Sequence, residues 1–329
     1  MNLRRLGLCL LLLATAAAGA LADGQTLRVY YIGNSVTDTV NYRAFAQCAE
    51  GLKDKVTWGR QMIPGCPLFG LWRAAESRPD NCGFVEPPFG NSLRALAGYE
   101  WDAVTLQPFD RLLANADPKN ADEQGDIFYA QKYIDLATRR SPDVQVYIYA
   151  RWPRMLIGRQ GVPYDKDAYD KPVEGKTADW SKVDPYEGRF TAKYTGGWDT
   201  TNETADYFET LTRTLRNVNP KAKKPPLLIP VGHVLLELDR RFRAGEMPGF
   251  KGAYDLYKDA IHLTNLGSYV VGATFYATLF RADPKGFPTE PYKVTDAKFA
   301  ELVQQVVWKV VSEHPLAGIA TPPPIEPHG

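Results

Sequence analysis

Short apolar runs alternate along this chain with stretches in which apolar residues recur every three or four positions. The runs predict five strands, at residues 27–32, 56–63, 101–106, 144–149 and 227–231. Their hydrophobicity is continuous, which is typical of strands covered on both faces. Strands that alternate with helices in this way predict an α/β fold, a three-layer α/β/α sandwich around a five-stranded, mainly parallel sheet.

Helical periodicity is clearest in the second half of the chain, where apolar residues line one face of each predicted helix. Four such stripes are Ile127, Ala130, Ile134 and Ala137; Phe208, Leu211 and Leu215; Leu266, Val270, Ala273, Ala277 and Phe280; and Phe299, Leu302, Val306 and Val310. Thr295 is the predicted N-cap of the last helix.

Three segments interrupt this rhythm. Residues 64–91 are rich in Gly, Pro and Cys and predict a long loop with one short helix, whereas residues 151–203 form an aromatic-rich insertion. Loops of this length inside a domain are typically functional or disordered, and the aromatic content argues against disorder. The proline-rich tail, 315–329, is predicted to be extended and poorly ordered. We therefore predict one domain over 23–314.

The first 22 residues have the pattern of a secretory signal peptide. Arg4 and Arg5 precede an apolar stretch over 6–20, and Ala20-Leu21-Ala22 fits the small-x-small cleavage rule. The apolar stretch is short for a membrane span. We expect cleavage near Ala22 and a secreted or periplasmic protein without a membrane span.

Charge and cysteine content narrow the function classes. The chain has 39 basic residues, two of them in the leader, against 38 acidic ones, so nothing indicates a nucleic-acid partner. Cys48, Cys66 and Cys82 allow one disulfide, and a Cys66–Cys82 bond would close a short loop. With four histidines and no zinc-binding spacing, the sequence predicts no metal and no cofactor.

Ser35 follows the first predicted strand in the sequence Gly33-Asn34-Ser35. In a parallel sheet, functional residues collect at the carboxyl ends of the strands. Ser35 is therefore either a helix N-cap or a nucleophile displayed at the tip of the strand. A nucleophile would need a base and a group that orients the base.

The segment Asp259-Ala260-Ile261-His262 offers both groups. If the loop turns back, the carboxylate can hold one imidazole nitrogen while the other nitrogen faces a nucleophile. The alternative is a solvated aspartate and a surface histidine that precede a helix.

Taken together, these two segments resemble the SGNH (GDSL-like) hydrolase superfamily. A Gly-Asp-Ser block follows the first strand in that family, and an Asp-x-x-His block lies near the C-terminus. Gly33-Asn34-Ser35 and Asp259-x-x-His262 match them in order and spacing, over roughly residues 27–281. The resemblance implies a flavodoxin-like fold and a catalytic triad of Ser35, His262 and Asp259.

The resemblance also implies an oxyanion hole built from Ser35, Gly65 and Gln107. Gly65 follows the second strand, as a glycine does in the family. Gln107 follows the third strand where many members have asparagine, and its amide can donate in the same way from a side chain that is one methylene longer. Asn34 replaces the family's aspartate at a position that does not supply the nucleophile.

Two further residues are predicted to line the substrate pocket because each follows a strand. Trp152 follows the fourth strand and could stack on a carbohydrate ring, and His233 follows the fifth. His233 could equally begin a helix without a functional role.

These observations predict an exported serine esterase that removes acetyl or other acyl groups from carbohydrate. The polar, aromatic insertion suits a sugar better than a lipid, whose enzymes need an apolar lid. A non-catalytic glycan-binding protein and a sugar O-acyltransferase on the same fold are the alternatives. The acyl group, the polysaccharide and the oligomeric state stay open.

Overall fold

The computed structural model describes residues 24–114, 124–155 and 185–319. Their strands form one six-stranded sheet in the order β3-β2-β1-β4-β5-β6. The strands are β1 (Thr26–Gly33), β2 (Lys55–Met62), β3 (Phe84–Val85), β4 (Ala103–Leu106), β5 (Gln145–Tyr149) and β6 (Leu227–Ile229). All neighbouring strands are parallel except β3, which is antiparallel to β2.

Helices cover both faces of the sheet. They are α1 (Tyr42–Gly51), α2 (Leu68–Ser77), α3 (Ser92–Gly98), α4 (Asp126–Arg140), α5 (Tyr186–Phe190), α6 (Ala205–Val218), α7 (Val231–Arg243), α8 (Asn265–Phe280) and α9 (Ala297–Glu313). The predicted α/β/α sandwich and the four helical stripes are confirmed.

Successive residues of β1 point to opposite sides of the sheet and so belong to two separate cores. Val29 and Tyr31 pack with α1, α7, α8 and α9, whereas Tyr30 and Ile32 pack with α2, α3, α4 and α6. Because β1 is buried on both faces, its sequence shows continuous rather than alternating hydrophobicity. None of the described helices combines the length and the apolar character that crossing a membrane needs.

The sheet has six strands where the sequence predicts five. The additional strand, β3, contains two residues and pairs with Gln61 and Met62 at the edge of the sheet. Two residues are too few to show the alternation of apolar and polar positions from which a strand is predicted. The sequence therefore does not reveal β3. The last helix is capped by Asp296, whose side chain accepts from the backbone N–H groups of Lys298 and Phe299, and not by Thr295.

The beginning of the C-terminal tail is packed on the domain. Leu316 and Ala317 are buried, and the Leu316 carbonyl accepts a 2.8 Å hydrogen bond from Leu228 N–H in β6. The prediction of a poorly ordered tail is therefore wrong for 315–319, and its remainder lies outside the described residues. So do the predicted signal peptide and the part of the aromatic-rich insertion from 156 to 184.

The three cysteines of the described chain are free thiols, so Cys66 and Cys82 do not form the disulfide that the sequence allows. Cys48 is buried, and its thiol donates to the carbonyl of Pro288 at 3.2 Å. Burial raises the pKa of Cys48 to about 12 and that of Cys66 to about 11. Thiols of this kind are poor nucleophiles at neutral pH.

Candidate active site

The turn after β1 displays Ser35. Gly33 lies so close to the next turn that a Cβ there would sit 1.9 Å from Thr37 Oγ1, which explains the glycine. Asn34 is completely buried; its Oδ1 accepts from Val36 N–H at 3.0 Å, and its Nδ2 donates to the carbonyl of Cys66 at 3.1 Å. Asn34 therefore ties the serine turn to the loop after β2.

Ser35, His262 and Asp259 form one hydrogen-bonded chain. Ser35 Oγ lies 2.9 Å from His262 Nε2, across 227 residues of sequence. His262 Nδ1 lies 2.8 Å from Asp259 Oδ2. The 3₁₀ helix that follows Ser35 begins at Thr37 and has no side-chain cap, so Ser35 is not an N-cap residue. In this arrangement the imidazole can accept the serine proton while the carboxylate fixes the ring.

Asp259 also organises the backbone of its own loop. Its Oδ1 accepts from the N–H groups of His262 at 2.6 Å and Ile261 at 2.9 Å. Burial alone would raise the pKa of Asp259, but the hydrogen bonds from the His262 ring and from these two N–H groups outweigh it. The pKa of Asp259 therefore lies below its usual value. The carboxylate that orients His262 is held in its ionised form.

Trp152 supports this loop from beneath and does not face the cavity. Its side chain is fully buried, and its Nε1 donates to the carbonyl of Ile261 at 2.6 Å. Two more hydrogen bonds join the same segments: Met155 N–H to Ala260 at 2.8 Å and the Tyr257 hydroxyl to the Pro153 carbonyl at 2.9 Å. The prediction that Trp152 stacks on a sugar is wrong, because both faces of its ring are packed in the core.

The backbone N–H groups of Ser35 and of Gly65, which lies in the loop after β2, have no hydrogen-bond partner among the described residues. Gly65 has φ +64, the left-handed region that favours glycine, and an added Cβ would meet nothing within 4 Å. The Asn34–Cys66 bond holds this loop against the serine turn. Unpaired donors of this kind can stabilise an oxyanion.

Gln107, the third donor that the resemblance implies, is turned away. Its side chain is fully buried, its Nε2 donates to the carbonyl of Pro108, and its Oε1 accepts from Thr37 Oγ1 at 3.4 Å. Gln107 does not line the cavity at Ser35. In this conformation the predicted contribution to the oxyanion hole is wrong, since the longer side chain reaches its own neighbour's carbonyl.

A cavity of about 590 Å³ opens at Ser35 and His262. Its wall includes Trp58, which stacks on Tyr42 with ring centroids 4.9 Å apart and an angle of 24° between the planes. Asp38 accepts from Arg60 at 2.7 Å and from the Tyr42 hydroxyl at 2.8 Å. The sequence pattern does not predict that Trp58, Tyr42, Asp38 and Arg60 line the cavity. Arg60 is a signal that could have indicated it, because a charged residue is unusual in the carboxyl half of a predicted buried strand.

The remaining lining residues are mostly polar or charged: Thr39, Asn41, Arg43, Glu86, Lys258 and Ser268, with Leu263 as an apolar member. A hydrocarbon chain would leave these groups without hydrogen-bond partners, whereas a sugar offers hydroxyl groups to them. The cavity therefore suits a polar substrate.

His233 does not line this cavity either. It lies in the first turn of α7, where its Nε2 is 3.1 Å from Glu209 and 3.4 Å from His314 Nε2. The prediction that His233 faces the substrate is wrong. The helix rotates this side chain toward α6 and the end of α9, and sequence position after a strand does not reveal such a direction.

No family model and no curated protein sequence matches this chain. Among solved structures, a DUF4886 family protein from Bacteroides uniformis is similar with a TM-score of 0.54 and 14% identity, over 88% of this chain and 95% of that one. A protein from Parabacteroides merdae that is described as a GDSL-like lipase has a TM-score of 0.38 and 9% identity, over 77% of this chain and 95% of that one.

The periplasmic domain of a lipopolysaccharide acetyltransferase from Salmonella serovar Paratyphi A is similar with a TM-score of 0.38 and 13% identity, over 78% of this chain and 85% of that one. The similarity to the DUF4886 family protein supports the predicted α/β fold, and the resemblance to the SGNH (GDSL-like) hydrolase superfamily stays a prediction. Identities of this size show a shared fold and carry no information about the substrate.

Proposed function

We propose that this protein is an exported serine esterase that removes acyl groups, acetyl foremost, from carbohydrate. The observation that carries the proposal is the hydrogen-bonded chain Ser35–His262–Asp259, with contacts of 2.9 and 2.8 Å, at the mouth of a polar cavity. Three residue types in this order and geometry constitute a nucleophile, a base and the group that orients the base.

In the proposed reaction, Ser35 Oγ attacks the ester carbonyl carbon while its proton passes to His262 Nε2. The unpaired N–H groups of Ser35 and Gly65 donate to the oxyanion that forms. His262 then gives the proton to the departing sugar hydroxyl, which leaves an acyl group on Ser35. Water, activated by His262, releases the acid and restores the serine.

The carbohydrate part of the proposal is supported by the cavity wall. Trp58 is partly exposed there, beside Tyr42 and the Arg60–Asp38 ion pair. Amphipathic rings and fixed polar groups bind a sugar through its apolar face and its hydroxyls. We therefore assign to Trp58 the sugar-stacking role that the sequence predicts for Trp152.

Hydrolysis of p-nitrophenyl acetate and of acetylated oligosaccharides tests this function. The wild type should release p-nitrophenol and acetate, and Ser35→Ala, with an unchanged circular dichroism spectrum, should release neither above background. Wild-type protein that binds the oligosaccharide without releasing acetate would establish the glycan-binding alternative. Acetate that appears on an added sugar acceptor, and not in solution, would establish acyl transfer.

Export is proposed from the leader at residues 1–22. Expression of the full chain in a bacterial host with a periplasm tests it. A mature N-terminus near Asp23 in the periplasmic fraction is the expected result, and an uncleaved cytosolic product would contradict it.

A further inference from the structure

Three potential metal ligands converge away from the active site. Glu209 lies on α6, His233 on the first turn of α7, and His314 directly after α9. Glu209 Oε1 is 3.1 Å from His233 Nε2 and 3.6 Å from His314 Nε2, and the two ring nitrogens are 3.4 Å apart. None of these residues takes part in the proposed esterase reaction.

These three separations are close to those between the corners of a tetrahedral metal site. Zinc binds histidine nitrogen and carboxylate oxygen at about 2.0 to 2.2 Å, which places neighbouring ligand atoms roughly 3.3 to 3.6 Å apart. One point about 2 Å from all three atoms therefore exists. Glu209 is the most exposed of the three side chains, at 29%, compared with 15% for His233 and 8% for His314. Solvent can therefore reach the site from the side of Glu209.

The surroundings hold the ligands in place. Glu209 Oε2 accepts from Arg213 at 3.1 Å, and the ring of His233 packs edge-on against Phe190 with centroids 5.0 Å apart. His314 Nδ1 accepts from Leu316 N–H at 3.2 Å. Metal binding at His314 Nε2 moves the ring proton to Nδ1, which then faces the Leu316 N–H as a second donor, so this hydrogen bond is lost and the two groups must move apart.

We propose that Glu209, His233 and His314 bind one divalent transition-metal ion of the zinc type, as a site that ties α6, α7 and α9 together. Two imidazoles and one carboxylate suit zinc, whereas calcium and magnesium take oxygen ligands. Water completes the coordination on the exposed side. The spacings of 24 and 81 residues match no zinc motif, so the sequence does not reveal the site.

Zinc titration of the full chain tests the proposal. Untagged protein is stripped with EDTA and dialysed, and Zn²⁺ is added while binding is followed by calorimetry and the melting temperature is recorded. We expect one Zn²⁺ per chain and a higher melting temperature, because an ion that binds only the folded state stabilises it. Glu209→Gln and His314→Gln should each bind Zn²⁺ at least about 100-fold more weakly.

The control is His262→Ala, which removes a histidine outside the cluster and should bind Zn²⁺ like the wild type. Arg213→Ala keeps every ligand and should weaken binding about 10-fold, which preserves the test if a ligand variant fails to fold. The proposal is overturned if the wild type binds no Zn²⁺ at about 100 μM. Equal binding by Glu209→Gln and His314→Gln, or loss of binding in His262→Ala, would overturn it as well.

Discussion

Trp152 and Ile261, 109 residues apart, are joined by a 2.6 Å hydrogen bond from the indole N–H to the backbone carbonyl. Ile261 is the residue before His262, whose ring contacts Ser35. A side chain buried in the core thus holds the residue that precedes the proposed catalytic base. The bond explains a tryptophan at a place where any large apolar residue could fill the space.

Trp152→Phe removes this donor and should lower kcat by about 10- to 100-fold with little change in KM, because small displacements of a catalytic group are costly. The matched control is Tyr149→Phe, which removes a buried hydroxyl that has no partner among the described residues. Steady-state kinetics with p-nitrophenyl acetate make the comparison. Equal kcat values in both variants would show that the Trp152 bond does not position His262.

Ser35→Ala and His262→Ala should each reduce kcat by about 10⁴-fold or more, and the double variant should be little worse than either, because triad members act as a unit. Single-turnover and steady-state rates with p-nitrophenyl acetate give these values, with melting temperatures as the control for folding. Losses that multiply in the double variant would contradict a shared mechanism.

Gly65→Ala places a side chain in a left-handed conformation, φ +64, and the backbone relieves that strain by rotating the proposed oxyanion donor. We expect kcat to fall about 10-fold or more at constant KM, since the N–H group meets charge that develops in the transition state. Gly245→Ala is the control: it has φ +78 and equally open surroundings at the end of α7. Both variants should lose about 1 kcal/mol of stability, and only Gly65→Ala should lose rate. The same kcat loss in both would exclude the donor role.

Trp58→Ala should raise KM for an acetylated oligosaccharide about 10-fold and leave the kinetics with p-nitrophenyl acetate nearly unchanged, because the small ester does not need a stacking surface. The control is Trp198→Ala, an exposed tryptophan that does not line the cavity. Dependence of the rate on oligosaccharide concentration gives the result. An unchanged KM in Trp58→Ala would place the sugar elsewhere.

Asp126 gives the protein a pH-dependent stability of predictable sign. The side chain is buried, accepts from the Tyr207 hydroxyl, and has its Oδ1 without a partner among the described residues. Burial raises its pKa to about 7. In the unfolded chain the pKa of an aspartate is about 3.9. Between about pH 3.9 and about pH 7, the carboxyl of Asp126 therefore holds a proton in the folded state that it has released in the unfolded state. Stability therefore falls as the pH rises from about 4 to about 7.

Asp126→Asn should remove this slope and make the protein more stable above pH 7, by up to about 4 kcal/mol. Near pH 4 the variant and the wild type should be similar, because the wild-type carboxyl is then protonated in the folded state. Urea denaturation at several pH values gives the free energies of unfolding. Asp135→Asn, an exposed change on the same helix, should keep the wild-type slope, and a slope that survives in Asp126→Asn would contradict the assignment.

The sequence alone determined the fold class and the three residues that meet at Ser35. Strands buried on both faces leave continuous apolar runs, and a serine at the end of the first run must lie at the functional edge of a parallel sheet. The contact between Asp259 and His262 can also be predicted from the sequence. The two residues share one loop, so their contact depends on a local turn.

Only the tertiary structure decided which way the other side chains point. Trp152, His233 and Gln107 all follow strands, as Ser35 does, yet none of them lines the cavity. Trp152 and Gln107 are fully buried, and His233 is turned toward Glu209 and His314. A position after a strand predicts an edge of the sheet, but the direction of the side chain there depends on packing against helices that are distant in sequence.

For the same reason the sequence does not reveal that Trp58 lies in the cavity wall. It also does not reveal that Glu209, His233 and His314 form a cluster. Trp58 lies in the middle of a strand, where the pattern predicts only burial. The cluster joins residues 24 and 81 positions apart, on two helices and at the end of a third. Such contacts exist only when the helices pack on the sheet, because no local conformation brings their side chains together.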